Sequence, residues 1–155
     1  HSKRSFELAL ADIEPAEQDR LEAAGWRVAD AIGISASLDA YRDYISGSAG
    51  EFTIAKDQYV RLRTGWFSDR SACYLAAGRP VITQDTGSPL PSGEGLFAFR
   101  TAEDALEALD AIDADGDRHA RAARDIAHEY FDAEKVLTRL LAWMDVEIPA
   151  AAVDA

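Results

Sequence analysis

Short apolar runs alternate with amphipathic stretches along this chain, and the alternation predicts strands separated by helices. Residues 6–10 (FELAL) predict a first strand, and Glu14-Pro15 a helix start with Pro in the first turn and a stop at Gly25. Residues 26–29 predict a second strand. Ser37 is placed to N-cap a helix bearing Leu38, Tyr41, Tyr44 and Ile45, ending near Gly47. Residues 52–55 predict a third strand, followed by a polar loop over 56–68. Ser68 or Asp69 then caps a helix ending at Gly78. Residues 80–83 read as a short, apolar fourth strand of the kind buried in parallel sheets.

The second half continues the pattern. Pro89, Pro91 and Gly93 mark an irregular loop before a fifth strand over 96–99 (LFAF). Thr101-Ala-Glu-Asp104 has the form of a capping box ahead of Ala105, Leu106, Leu109 and Ile112. Asp115-Gly116 breaks that helix, and another is expected from about Arg118 to Tyr130. Asp132 caps a last helix with Val136, Leu137, Leu140, Leu141 and Met144 at helical spacing. The residues after Pro149 carry no pattern and are expected to fray. The expected fold is α/β: one Rossmann-like parallel sheet of about five strands with flanking helices, in a single domain over residues 1–148. Ligands of such sheets bind beyond the carboxyl ends of strands. The loops at 56–68 and 84–95 are therefore the expected site.

Charge sharpens that expectation. The 155-residue chain has a formal net charge of -12, yet residues 51–100 hold six Lys/Arg against five Asp/Glu. The remaining residues hold ten against twenty-three. A locally positive loop on an acidic body suits a small anion and not a nucleic acid, which needs a broad basic face. Neither a membrane span nor a signal peptide is visible. The single cysteine, Cys73, excludes an internal disulfide and fits a reducing compartment, so a cytoplasmic location is expected. The chain lacks a starting Met, and His1-Ser2 read as a remnant of expression, so a fragment of a longer protein is expected. The three histidines give no basis for a His-dependent triad or a zinc site.

Several side chains around the two loops carry candidate chemistry. Gly65-Trp66-Phe67-Ser68-Asp69-Arg70 leads into the central helix, where free N–H groups and the helix dipole favour a phosphate. Ser68 offers a hydroxyl and Arg70 a bidentate fork. The plainer reading makes Ser68 or Asp69 an N-cap and Arg70 a solvated side chain. Lys56, Arg61 and Arg63 either neutralise a phosphorylated ligand or decorate a solvated loop. Trp66 and Phe67 are core anchors or a stacking wall for a base or sugar. Gln84-Asp85-Thr86-Gly87 is a polar turn or a binding loop at a strand's carboxyl end. Glu94, between Gly93 and Gly95, is a turn residue or a hydrogen-bond acceptor for a sugar hydroxyl. Cys73 is expected to pack as a small hydrophobe.

The motifs GEFTIAK (50–56), GWFSDRSACYLAAGRPV (65–81), QDTG (84–87) and GEGLFAF (93–99) resemble the donor-binding half of a GT-B fold glycosyltransferase. The closing HEYFDAEKVLTRLLAWM is similar to the C-terminal helices of that fold, and the fuller combination resembles a bacterial group of glycosyltransferase-like proteins. The resemblance covers about residues 15–145. It implies an enzyme that transfers a glycosyl group from a nucleotide-diphosphate sugar held by residues 65–70 and 84–94. It also implies a separate N-terminal acceptor-binding domain, with the present chain inactive alone. No metal or further cofactor is implied. The sequence departs from many retaining members at the positions of two glutamates eight residues apart, which here are Gly65 and Cys73. Glu94 or Asp85 then becomes the candidate ribose contact. Two alternatives remain: a non-catalytic binding module with the same fold, and a receiver-like signalling domain with Asp85 or Asp30 as phosphoacceptor. The latter expects an acidic pair after the first strand, which FELAL lacks.

Overall fold

The computed structural model describes residues 4–144, so the expected frayed end lies outside the described residues. The chain forms two compact units, His1–Ser48 and Ala49–Ala155.

The first unit is a βαβ motif with two further helices: β1 (Phe6–Leu10), α1 (Pro15–Ala23), β2 (Trp26–Asp30), α2 (Ala31–Ile34) and α3 (Leu38–Gly47). Strands β1 and β2 pair in parallel, with Phe6 opposite Trp26 and Leu10 opposite Asp30. The Phe6 and Trp26 rings pack at 5.4 Å. Pro15 occupies the first turn of α1, and Gly25 ends it with φ +90°. Asp30 leaves β2 and immediately caps α2, accepting from the Ile32 and Gly33 N–H groups at 2.9 and 3.1 Å. Ser37 caps α3 as expected, through a bond from the Ala40 N–H at 3.1 Å.

The second unit contains β3 (Glu51–Thr53), α4 (Asp57–Arg61), α5 (Asp69–Ala76), β4 (Val81–Gln84), β5 (Leu96–Phe99), α6 (Ala102–Ala114), α7 (Gly116–Tyr130) and α8 (Ala133–Trp143). Its three strands are parallel in the order β3–β4–β5. In place of one sheet of about five strands, backbone hydrogen bonds thus define two small parallel sheets. Alternation fixes strand direction through the helical crossovers, whereas neighbour choice is decided by contacts far apart in sequence.

Register sorts the side chains of the three-stranded sheet. Phe52, Ile82 and Phe97 form one row across it, and Thr53, Thr83 and Ala98 the next, on the opposite face. Phe52 and Phe99 stack at 5.3 Å on the aromatic face. Val81 and Ile82 are both buried, which explains why β4 reads as an uninterrupted apolar run. Leu75 of α5, Ala108 and Ile112 of α6, and Ala123 and Ile126 of α7 complete the core.

Helix ends follow local chemistry. Thr101 and Asp104 make the expected capping box. Asp115 caps α7 through the Arg118 N–H at 3.1 Å, so that helix starts at Gly116, two residues before the expected Arg118. Asp132 caps α8 through Lys135 at 3.1 Å. The first part of the expected loop over 56–68 winds into α4, from which Tyr59 stacks on Trp66 at 5.0 Å. Cys73 is exposed and not packed. Ser71, Tyr74 and Leu75 form the buried face of α5 and turn Cys73 away. The apolar residues of α8 keep the expected helical spacing, and none is buried.

Gly95 permits the closest approach in this unit. Its φ is +70°, and a Cβ there would collide with the Ala123 backbone nitrogen of α7. Gly95 N–H donates to His119 Nδ1 at 3.3 Å, and the buried His119 ring packs on Phe97 at 5.2 Å. Gly95→Ala is expected to destabilise the protein by about 2–4 kcal/mol, from backbone strain plus overpacking. Gly116→Ala, with no atom within 4 Å of the added Cβ, should change stability little. Urea denaturation of both variants checks this; equal stability would contradict the packing of α7 on Gly95.

Candidate functional site

All three strands of the second unit are parallel, so their carboxyl ends lie along one edge, and the chain leaves that edge at Ile54, Asp85 and Arg100. Asp85 is the centre of the edge. Its Oδ2 accepts from Arg100 Nε at 2.6 Å and from Arg63 Nη1 at 3.2 Å. Its Oδ1 accepts from the Gly87 N–H at 2.8 Å. The Gly87 amide and the Arg100 and Arg63 guanidiniums, in that order, lower the Asp85 pKa from 3.8 to about 2, against the opposing effect of burial.

Each arginine is delivered by its own local structure. Arg63 has φ +47°, a left-handed conformation that L-residues seldom adopt. It sits beside Gly87, which itself has φ +83° and lies so near that a Cβ there would be 3.3 Å from Arg63 Nε. Arg100 follows β5, and its backbone N–H donates to Asp104 Oδ2 at 2.8 Å, so the capping box of α6 fixes where that arginine starts. Arg63 and Arg100 side chains are 55% and 71% exposed, while Asp85 is 11% exposed. Only Nε of Arg100 contacts Asp85 within hydrogen-bond distance, leaving its terminal nitrogens without a protein partner among the described residues.

Next to this cluster is a shallow cleft lined by Trp66, Phe67, Thr83, Gln84, Asp85, Thr86, Ser88, Leu90, Ser92, Leu96 and Ala98. Two loops build it. The Gly65 N–H donates to the Thr86 carbonyl at 2.9 Å, and the buried Thr86 hydroxyl donates to the Trp66 carbonyl at 2.6 Å. Gly65 adopts φ +74° to make this turn. Trp66 is backed by Tyr59, and Phe67 stacks on Phe131 at 5.5 Å, so both aromatics are half-buried walls. Gln84 is held by the Ala55 N–H, which donates to its Oε1 at 3.2 Å.

Other expected residues lie apart from this cluster. Arg70 turns back onto the sheet: its Nε donates to Glu51 Oε1 at 2.5 Å and its Nη2 to Thr53 Oγ1 at 3.1 Å. Glu51 is buried, and its Oε2 has no partner among the described residues, so Arg70 is its main compensation. Ser68 is the N-cap residue of α5 by position but makes no capping bond with its side chain; its hydroxyl lies 3.5 Å from Asp69 Oδ1. Asp69 instead accepts from the Arg70 N–H at 2.9 Å. Lys56 and Arg61 are exposed at the ends of α4, where Arg61 approaches Asp57 at 3.8 Å. Glu94 is ion-paired with Arg118, which holds its carboxyl below the usual glutamate range.

Ser88, Leu90 and Ser92 fall within the expected 84–95 loop, though not singled out there, whereas Arg100 was missed. For Arg100 a signal existed: it is the first residue past the fifth strand, at the same edge as Asp85. Among the described residues, no group of three or more His, Cys, Asp or Glu could hold a metal ion. No described helix is long and apolar enough to cross a membrane. Comparison of the chain with family models, curated proteins and solved structures finds no match.

The Asp85 contacts give a pH prediction. Its folded pKa lies below the unfolded value, so its stabilisation is complete above about pH 4 and is lost as pH falls towards 2. The stability difference between the protein and Asp85→Asn, measured in urea, should shrink across that interval. A difference that stays constant from pH 5 to about pH 2 would count against the charge-assisted bonds.

Proposed function

We propose that the second unit is the nucleotide-sugar-binding part of a glycosyltransferase of GT-B type, acting with an acceptor-binding domain outside this chain. The observation that carries the reading is the pair of exposed arginines, Arg63 and Arg100, sharing one carboxylate at the carboxyl edge of a parallel sheet. The N–H groups Arg100 leaves unused suit phosphate oxygens, with Asp85 between the two guanidiniums and Asp104 at the Arg100 backbone. The adjoining cleft offers aromatic walls in Trp66 and Phe67 and hydroxyls in Ser88 and Ser92 for a base or sugar. The motifs from Gly50 to Phe99 support the same reading by resemblance.

In this proposal the diphosphate lies against Arg63 and Arg100, not against Arg70, whose guanidinium is committed to Glu51 and Thr53. Developing charge on a leaving diphosphate would be stabilised by the same two arginines, already oriented by Asp85. Asp85 and Glu94 each hold arginines, so neither carboxylate is poised as a ribose contact. A second reading, a binding module without transfer, draws support from Gly65 and Cys73. Gly65 is a turn glycine whose N–H is bonded to Thr86, and neither position supplies a carboxylate.

Calorimetric titration with UDP, GDP, ADP and dTDP tests the reading. Saturable binding of at least one is expected, weakened about tenfold or more by Arg100→Ala or Arg63→Ala, the loss of one charge-assisted contact. Arg70→Ala is expected to lower stability by about 3 kcal/mol by stranding the buried Glu51 carboxylate. Binding that survives both Arg63→Ala and Arg100→Ala would remove the proposed phosphate site. Binding without sugar-nucleotide turnover, even with the acceptor-binding domain supplied, would favour the non-catalytic module.

A further inference from the structure

The apolar stripe of α8 has no cover within its own unit. Val136, Leu137, Leu140, Trp143 and Met144 are 41%, 55%, 46%, 83% and 63% exposed. An eleven-residue helix is marginal without a packed apolar face, and contiguous exposed apolar surface of this kind marks an interaction site.

The spacing of the stripe says what would cover it. Relative to Leu140, the other four residues fall at -4, -3, +3 and +4. At about 100° per residue they span an arc of roughly 120°, with Leu140 at its middle. A stripe symmetric about one residue is self-complementary under a two-fold axis that reverses the helix direction. In such an antiparallel pair Leu140 meets its own copy. Val136 shares a level with the partner's Met144, and Leu137 with the partner's Trp143, each pair offset to opposite sides of the seam so that the side chains interdigitate.

Area and charge fit the same arrangement. The five side chains expose on the order of 600 Å² in one chain, so pairing would bury about 1,200 Å², the lower end of stable interfaces. Near the rim, Lys135 and Arg139 share the single carboxylate of Glu129, at 2.6 and 3.9 Å, outside the apolar seam. The five seam residues themselves are uncharged, so two chains can meet here without burying an ion.

We infer that α8 is a homodimer interface, packing antiparallel against α8 of a second copy about a two-fold axis at Leu140. The inference is independent of the nucleotide-sugar reading, since α8 contributes nothing to the Asp85 edge.

Sedimentation of the whole chain from about 1 to 200 µM, a range that brackets micromolar dimers, tests it. The expected result is a concentration-dependent shift from one to two chain masses. Leu140→Glu, which sets two carboxylates together on the axis, should abolish the shift; Leu62→Glu, on an exposed residue outside the stripe, should not. In a Cys73→Ser background, Leu140→Cys should cross-link to its own copy under mild oxidation, whereas Thr138→Cys should not. A monomer at every concentration, or a dimer indifferent to Leu140→Glu, would overturn the inference and leave the stripe to another occupant, such as residues 145–155 or a different protein.

Discussion

One carboxylate organises the carboxyl edge of the three-stranded sheet. Asp85 joins three segments that are distant in sequence: the 63–67 turn, its own loop after β4, and the β5–α6 junction at Arg100. The bonds support one another. Gly87 folds the Asp85 loop back so that its N–H reaches Oδ1, and the space it leaves admits Arg63. The capping box at Thr101 and Asp104 anchors Arg100 from the other side. A preorganised ion cluster of this sort holds long side chains in place before a ligand arrives, which lowers the ordering cost of binding.

The distribution of charge follows from these pairings. Within residues 51–100, Glu51 takes Arg70, Asp57 approaches Arg61, and Asp85 takes both Arg63 and Arg100. Two cations therefore meet at the sheet edge of a chain that is otherwise acidic, with Asp85 between them and Asp104 at the Arg100 backbone. Arg63 and Arg100 thus have a structural location, beside an aromatic-walled cleft. Arg70 shows the opposite outcome: a cation expected at a helix N-terminus is used to compensate a buried glutamate on β3.

Features set by neighbouring residues were legible in the sequence, and features set by distant contacts were not. Ser37, Thr101 with Asp104, and Asp132 all cap the helices that their spacing predicted, because a cap needs only the next three residues. The β1 and β5 strands fall where their apolar runs lie. Strand neighbours are different, since the break between β2 and β3 is a matter of nonlocal pairing. Arg70 and Cys73 are similar cases: each sits on a helix whose rotation is decided by Ser71, Tyr74 and Leu75 finding the core. The loops at 56–68 and 84–95 were legible as neighbours of a strand edge, but Arg100 as the second partner of Asp85 depends on register. The α8 stripe was legible as a helical face but its exposure was not, because periodicity reports an apolar face and not what covers it.

The central claim is that the edge around Asp85 binds an anion. Amide and arginine-side-chain NMR spectra of the protein titrated with inorganic pyrophosphate address it directly, without presuming a base or a sugar. The account predicts saturable shifts concentrated at Arg63, Gly87 and Arg100, including Arg100 Nε–H. Shifts confined to residues 68–70 at the start of α5, or no saturable shift at the Asp85 edge in a folded sample, would contradict it.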